Sequence, residues 1–356
     1  MANVSSFLYR ALVFSLGLWG ISCTPDYLRP TLPGRPPIVT TLGHQNPAVL
    51  NCSIRLNARV YDGEESLEEI GFLLSSTPHF TENGQGVQKV KCNISGNVAT
   101  IQGEQLFTSD YIVGPVEGVT RYYKAYGKNS TGIGYGQEYS YQSAILIDVD
   151  NNPYNSVQIG TQCWTRSNLK VSKYRDGTNI STGLNSNVWQ ATTSGAYSTQ
   201  SNDPNNDELF GKLYNYYAVT DSRGICPTGW HVPTEWDWNV LVKYLDSNAD
   251  TSCNSCVQSL IVGGALKSTA TLPTPGGWPP PNTAATNSSG FSALPGGLRS
   301  SNGDFNSIYS IGWWWSSSVS PETYGGYRVL SGGGSYIERG RGAFLTNGFS
   351  VRCCRD

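Results

Sequence analysis

The chain has 356 residues, room for a leader and two cores of about 100 to 200 residues each. Only 14% of residues are charged, the formal net charge is -2, and Gly (40), Tyr (21) and Trp (10) are abundant. That balance excludes a nucleic-acid partner, which needs a concentrated basic face. Many aromatics with frequent Gly and Asn imply short strands and ordered loops.

Residues 1–22 carry Arg10 and then an apolar run from Ala11 to Ser22. The run is shorter than the roughly 20 residues of a membrane-spanning helix and reads as a secretory signal peptide. Gly20-Ile21-Ser22-Cys23 resembles the bacterial lipobox, departing from it at Gly20, where Leu is usual. The resemblance implies lipidation of Cys23 and anchorage at the cell surface on the bacterial outer membrane. Residues 23–37 include Pro25, Pro30, Pro33, Pro36 and Pro37 and form a semi-rigid stalk.

The cysteine count is nine, an odd number that becomes even once Cys23 is lipidated. Cys52 and Cys92 fall in the first core and could pair there. Cys163, Cys226, Cys253, Cys256, Cys353 and Cys354 remain for the second, with their pairing open. A zinc or redox reading of Cys253 and Cys256 lacks a second Cys pair, and His44, His79 and His231 are the only histidines. Structural disulfides are therefore expected.

Residues 38–144 alternate as strands do, at Ala58–Tyr61, Ile70–Leu74, Arg121–Tyr126 and Tyr135–Tyr141. Turn residues at Glu82-Asn83-Gly84 and Asn129-Ser130-Thr131-Gly132 separate them. The expected fold is a β-sandwich of immunoglobulin or fibronectin type III character. The segments "EEIGFLLS" (Glu68 to Ser75) and "TRYYKAYGKNSTGIGYG" (Thr120 to Gly136) resemble fibronectin-like modules of Bacteroides-type surface proteins. That likeness implies a spacer.

Residues 145–356 form the second expected domain. "DVDNNPYNSVQIGTQCWTRSNLKVSKYRDGTNI" (Asp148 to Ile180), "GKLYNYYAV" (Gly211 to Val219), "ICPTGWHVPTEWDWNVLVKYL" (Ile225 to Leu245), "SSGFSALPGGLRSSNGDF" (Ser288 to Phe305), "WWWSSS" (Trp313 to Ser318) and "NGFSVRCCRD" (Asn347 to Asp356) resemble the Fibrobacter succinogenes major paralogous domain. Cys354 departs from it, since Val is common there. "WHVPTEWDWNVL", "RVLSGGGSY" and "GFSVRC" are similar, more distantly, to formylglycine-generating-type domains. This likeness implies an α+β C-type-lectin-like fold with paired termini. Thr234, Glu235 and Asp237 suit a first helical turn, and Trp238, Leu241, Val242 and Leu245 recur at helical spacing for a buried face.

The oxidase chemistry of formylglycine-generating enzymes depends on a cysteine pair near the C-terminus. Here the upstream position has no Cys, and Cys353 lies two residues later than that motif requires. No enzymatic activity, catalytic residue, cofactor or metal is expected. The Glu-Pro-Asn or Gln-Pro-Asp loops of calcium-dependent sugar binding are missing. The oxygen-rich stretch Ser201 to Glu208 reads as an Asx-turn loop, although it has the donors a Ca²⁺ ion would want. His231, between Trp230 and Val232, reads as a packing residue.

Ser300 to Gly348 is rich in Ser, Gly, Tyr and Trp and lacks Lys, its cationic groups including Arg328, Arg339 and Arg341. This is the composition of a binding surface, with rigid aromatic anchors among adaptable neighbours. An exposed ligand-binding face is expected from Tyr309, Trp313, Tyr324, Tyr327, Arg328, Tyr336, Glu338, Arg339 and Arg341. Trp315 and Val329 are expected to turn inward, with a neighbour of Trp315 displayed. Because related lectin-like domains are targets of diversity-generating retroelements, the resemblance implies that this stretch is variable.

The expected function is a non-catalytic surface receptor or adhesin for a protein or glycan ligand on another cell or in a host. A structural or tip subunit of a pilus or other surface assembly is the alternative. A polysaccharide-acting enzyme ranks last, since Glu64, Glu65, Glu68 and Glu69 read as a solvated turn.

Overall fold

The computed structural model describes residues 35–43, 53–61, 66–94, 98–101, 104–112, 120–142, 146–319 and 324–356. The expected leader, Cys23 and most of the stalk lie outside them. Strands dominate, in several separate sheets with no closed barrel among the described residues. No helix among the described residues is long and apolar enough to cross a membrane.

The N-terminal region consists of two antiparallel sheets. One runs in the spatial order Ile38–Leu42, Ser53–Tyr61, Glu104–Ile112, Val98–Ile101. The other runs Gln88–Cys92, Glu69–Ser75, Thr120–Asn129, Gly132–Tyr135, with Tyr139–Gln142 also on Thr120–Asn129. Ile54, Leu56, Ala58 and Val60 alternate inward from the first sheet and meet Ile70, Phe72, Leu74, Tyr123 and Ala125 of the second in one core. That alternation follows from the two-residue side-chain period of a strand. Glu69–Ser75 is buried on both faces, because Leu73 packs outward under Phe80 and Tyr126. The expected strand Tyr135–Tyr141 is in fact two, divided at Gly136, where a Cβ would lie 2.5 Å from the Thr41 backbone nitrogen.

Cys92 is a free, half-buried thiol, so it does not make the pairing with Cys52 considered above; Cys52 itself lies outside the described residues. Burial pushes the Cys92 thiol up to about 11.

In the C-terminal region the last strand, Cys354–Arg355, pairs on one side with Gln162–Thr165 and on the other with Trp230–His231; Ser156–Ile159 completes that sheet. A second sheet runs Cys256–Ser259, Ile337–Ala343, Gly325–Ser331, Ile311–Val319. The helix Glu235–Leu245 starts where the sequence implies. Thr234 Oγ1 accepts from the Asp237 backbone N–H (3.2 Å), and Asp237 Oδ2 accepts from the Thr234 N–H (2.8 Å), a reciprocal cap. Its buried residues Trp238, Leu241 and Val242 join Trp164, Phe291, Trp314 and Leu330 in one apolar cluster. A second cluster holds Tyr214, Tyr216, Trp315, Phe349 and Val351. The terminal segment is locked by Arg352, fully buried, which donates to Asn168 Oδ1 and to the carbonyls of Thr165, Phe291 and Ser292.

Cys226 is bonded to Cys353 and Cys253 to Cys256. The expectation of structural disulfides is met at these positions, while Cys354 is left as a free thiol.

Candidate functional site

The second C-terminal sheet decides which of the expected binding residues reach solvent. Residues directly opposite in an antiparallel ladder point to the same face, and successive residues to opposite faces. Trp313, Val329, Glu338 and Val257 stand opposite one another across the four strands and therefore form one transverse row. Trp315 and Tyr327 form the next row on that face. Trp314, Arg328, Arg339 and Cys256 form a row on the reverse face, toward the helix Glu235–Leu245.

This register corrects part of the expected ligand face. Tyr327 and Arg328 are successive residues in a strand and cannot share a rim. Arg328 is fully buried and Arg339 is 4% exposed. Arg328 Nη1 donates to Glu235 Oε1 (3.0 Å) and its Nη2 to Glu235 Oε2 (3.2 Å) and Asn239 Oδ1 (3.1 Å). Arg339 Nε lies 2.6 Å from Glu235 Oε2 as an ion pair off the hydrogen-bond direction, and its Nη1 donates to the carbonyls of Thr251 and Cys253. Burial would raise the Glu235 pKa, but the two guanidinium groups hold it below the usual carboxylate value. Arg328 and Arg339 are thus the charged core behind the sheet, not part of a rim.

Of the other expected residues, Trp313 and Tyr327 are half-buried on the front face, where they pack with Phe349 (ring centroids 6.2 and 5.4 Å away) against the buried cluster of Trp315 and Val351. Trp315 is fully buried as expected, Val329 is also buried, and Trp314 is buried on the reverse side. Glu338 is half-buried in the front row, beside Val257, which is 41% exposed. Tyr324 packs on Phe344, an exposed ring, at the end of the same strand pair. Tyr336 is half-buried just before the strand Ile337–Ala343. Tyr309 stands two residues before the strand Ile311–Val319 with its ring edge-on to Phe210, and Arg341 is drawn to Asn254 Oδ1 (2.9 Å).

The stretch Ser201 to Glu208 engages its acids locally. Asp203 Oδ1 accepts from the Asn205 N–H, Asp207 pairs with Lys212, and Glu208 pairs with Lys170. The Asp203 bond is an Asx-turn, while Asp207 and Glu208 are engaged by lysines.

A second constellation is centred on His231, which the sequence reads as packing. His231 Nδ1 is 2.6 Å from Asp356 Oδ1 and Nε2 is 3.1 Å from Asp237 Oδ2. The Asp237 hydrogen bond raises the His231 pKa against the lowering effect of burial, and Asp356 adds to the rise. His231 and Cys354 are cross-strand partners, and a His231 ring nitrogen, an Asp237 carboxylate oxygen and the Cys354 sulfur all lie within 4.8 Å of one another. Burial pushes the Cys354 thiol up to about 12, so it is protonated rather than a poised nucleophile. The cluster stands between two clefts. One, of about 400 Å³, is lined by Arg175, Asp221, His231 and Thr234 among others; the other, of about 250 Å³, by Gln162, Trp236, Asp237, Cys354, Arg355 and Asp356.

Sequence spacing missed this cluster because 123 positions separate His231 from Cys354 and only the strand pairing joins them. Trp236 had a legible signal: it falls outside the helical stripe of Trp238, Leu241 and Val242, and it is 69% exposed.

The family model for the Fibrobacter succinogenes major domain matches residues 157–355, more than half of the chain, and the protein belongs to that family. No curated protein and no solved structure matches the chain.

Proposed function

We propose that this protein is a non-catalytic binding protein of the bacterial cell surface. In this reading Cys23 carries the lipid anchor, the Pro-rich segment is a stalk, and residues 38–144 are a spacer of immunoglobulin or fibronectin type III type. Residues 145–356 are a C-type-lectin-like domain that holds the ligand. The two N-terminal sheets around one core support the spacer, and the pairing of Cys354–Arg355 beside Gln162–Thr165 supports the lectin-like reading.

The observation that carries the proposal is the front row Trp313, Val329, Glu338 and Val257, with Tyr327 beside it. In and beside that row Val329 is buried, Trp313, Tyr327 and Glu338 are half-buried and Val257 is exposed, and the reverse of the sheet is fixed by buried charge, so the accessible edges are held in place before any partner arrives. A shallow apolar surface with aromatic anchors and one carboxylate suits a protein partner better than a sugar enclosed in a cleft. Under the diversified reading, sibling copies would differ at front-row positions and keep Trp314, Arg328 and Arg339.

Passing the intact protein over immobilised extracellular host proteins and, separately, glycans tests this function. Saturable retention on a protein is the expected result. Retention on glycans alone overturns the choice of partner, and no retention beyond that of an unrelated carrier protein overturns the binding role.

A further inference from the structure

The His231 cluster has no part in the front face and is assembled from three segments. His231 comes from the strand Trp230–His231, Asp237 from the first turn of the helix Glu235–Leu245, and Cys354 from the last strand. We propose that His231, Asp237 and Cys354 form a binding site for a thiophilic divalent cation, zinc above all, with Asp356 orienting the histidine ring.

The donor set argues for that class of ion. One nitrogen, one carboxylate oxygen and one sulfur suit Zn²⁺, whereas Ca²⁺ and Mg²⁺ want oxygen alone. In tetrahedral zinc sites the donor atoms stand about 3.3 to 3.7 Å apart, given Zn–N and Zn–O near 2.0–2.1 Å and Zn–S near 2.3 Å. His231 Nε2 and Asp237 Oδ2 are 3.1 Å apart, and all three donors lie within 4.8 Å of one another; Oδ2 also accepts from the Thr234 N–H and Oγ1, so the metal would share that oxygen with the helix cap as the donors draw in.

Each donor is also held by something else. His231 and Cys354 face each other across a strand pair. Asp237 is fixed by Thr234 and by Gln162, whose Nε2 donates to Oδ1 at 3.2 Å. Asp356 sits on His231 Nδ1, leaving Nε2 on the Asp237 side; a carboxylate on the far nitrogen is the usual way a metal-binding imidazole is oriented. Cys354 is 1% exposed and unpaired, although its chain neighbour Cys353 is oxidised. Its thiol proton would leave to solvent as the metal binds. Three protein ligands leave one coordination position, and Asp237 and Cys354 line the 250 Å³ cleft beneath the exposed Trp236 from which a water or an anionic ligand group would fill it.

The test uses the intact protein, stripped with a chelator under conditions that keep its disulfides oxidised and titrated with Co²⁺. One equivalent should develop sulfur-to-cobalt charge-transfer absorption that Zn²⁺ then abolishes. Cys354→Ser should remove the absorption and Cys92→Ser should retain it. Asp356→Asn should keep the band and weaken binding about tenfold or more. The proposal is overturned if the wild type shows no sulfur-to-cobalt band, or if the band survives Cys354→Ser. Should Cys354→Ser fail to fold, His231→Gln decides: a midpoint weakened at least tenfold supports the site, and an unchanged midpoint overturns it. All readouts follow the metal, so they stand or fall apart from the front-face reading.

Discussion

At Glu235 one carboxylate faces two guanidinium groups, and all three side chains are largely withdrawn from water. Removing one member of such a group leaves uncompensated buried charge, which typically costs about 3 to 5 kcal/mol, whereas replacing every member with apolar groups is often neutral. Glu235→Ala should therefore destabilise the C-terminal region by about 3 kcal/mol or more, read as a large drop in the chemical-denaturation midpoint. The triple change Glu235→Leu, Arg328→Met, Arg339→Met should recover much of it. A Glu235→Ala protein as stable as the wild type contradicts the assignment. The same residues mark where the sequence stopped being legible. Trp315 read correctly as core because one of three successive Trp residues must point inward, but Arg328 looked like a binding group because its partner lies 93 positions away. Local pattern carries burial by period; it does not carry the identity of a distant counter-ion.

Among the elements, the helix Glu235–Leu245 and the strands Ser53–Tyr61, Glu69–Ser75 and Thr120–Asn129 were readable because cap chemistry and side-chain period are local properties. The order of strands within each sheet was not, since it depends on contacts between distant segments. Strand pairing in the N-terminal region also creates a charge cluster: Glu69 accepts from Tyr126 Oη (2.8 Å) and contacts Lys89 (2.8 Å) and Lys91 (2.5 Å). Burial pushes the Glu69 pKa up, but these bonds outweigh it and hold the group at about 2, below its ordinary 4.5. A lowered folded-state pKa means that the unfolded chain binds the proton more readily between those values. The contribution is complete above about 4.5 and is lost as the pH falls toward about 2. Amide exchange over Glu69–Ser75, corrected for intrinsic rates, should lose protection across that window. Lys89→Met should move the loss to higher pH; an unchanged profile contradicts the role given to the cluster.

Over the whole molecule, the family relationship covers residues 157–355, and within them the front and reverse faces of one sheet have separate work. The reverse face holds the fold through Trp314, Arg328 and Arg339, while the proposed binding role falls to Trp313, Tyr327, Glu338 and Val257 on the front face, which are half-buried or exposed. Truncating an aromatic anchor at a binding centre typically costs about 2 kcal/mol or more, roughly thirtyfold in affinity. Both anchors are only half-buried, so their loss from the fold itself is smaller than that of a buried ring such as Phe349. The decisive measurement is the affinity of the intact protein for the partner it retains, compared among wild type, Trp313→Ala, Tyr327→Ala and Tyr135→Ala, the last on an exposed N-terminal ring, with a thermal melt of each. The account predicts that Trp313→Ala and Tyr327→Ala each weaken binding at least tenfold while the protein remains folded, and that Tyr135→Ala binds as the wild type does. Unchanged affinity in both front-face variants, or loss of binding in Tyr135→Ala, contradicts it.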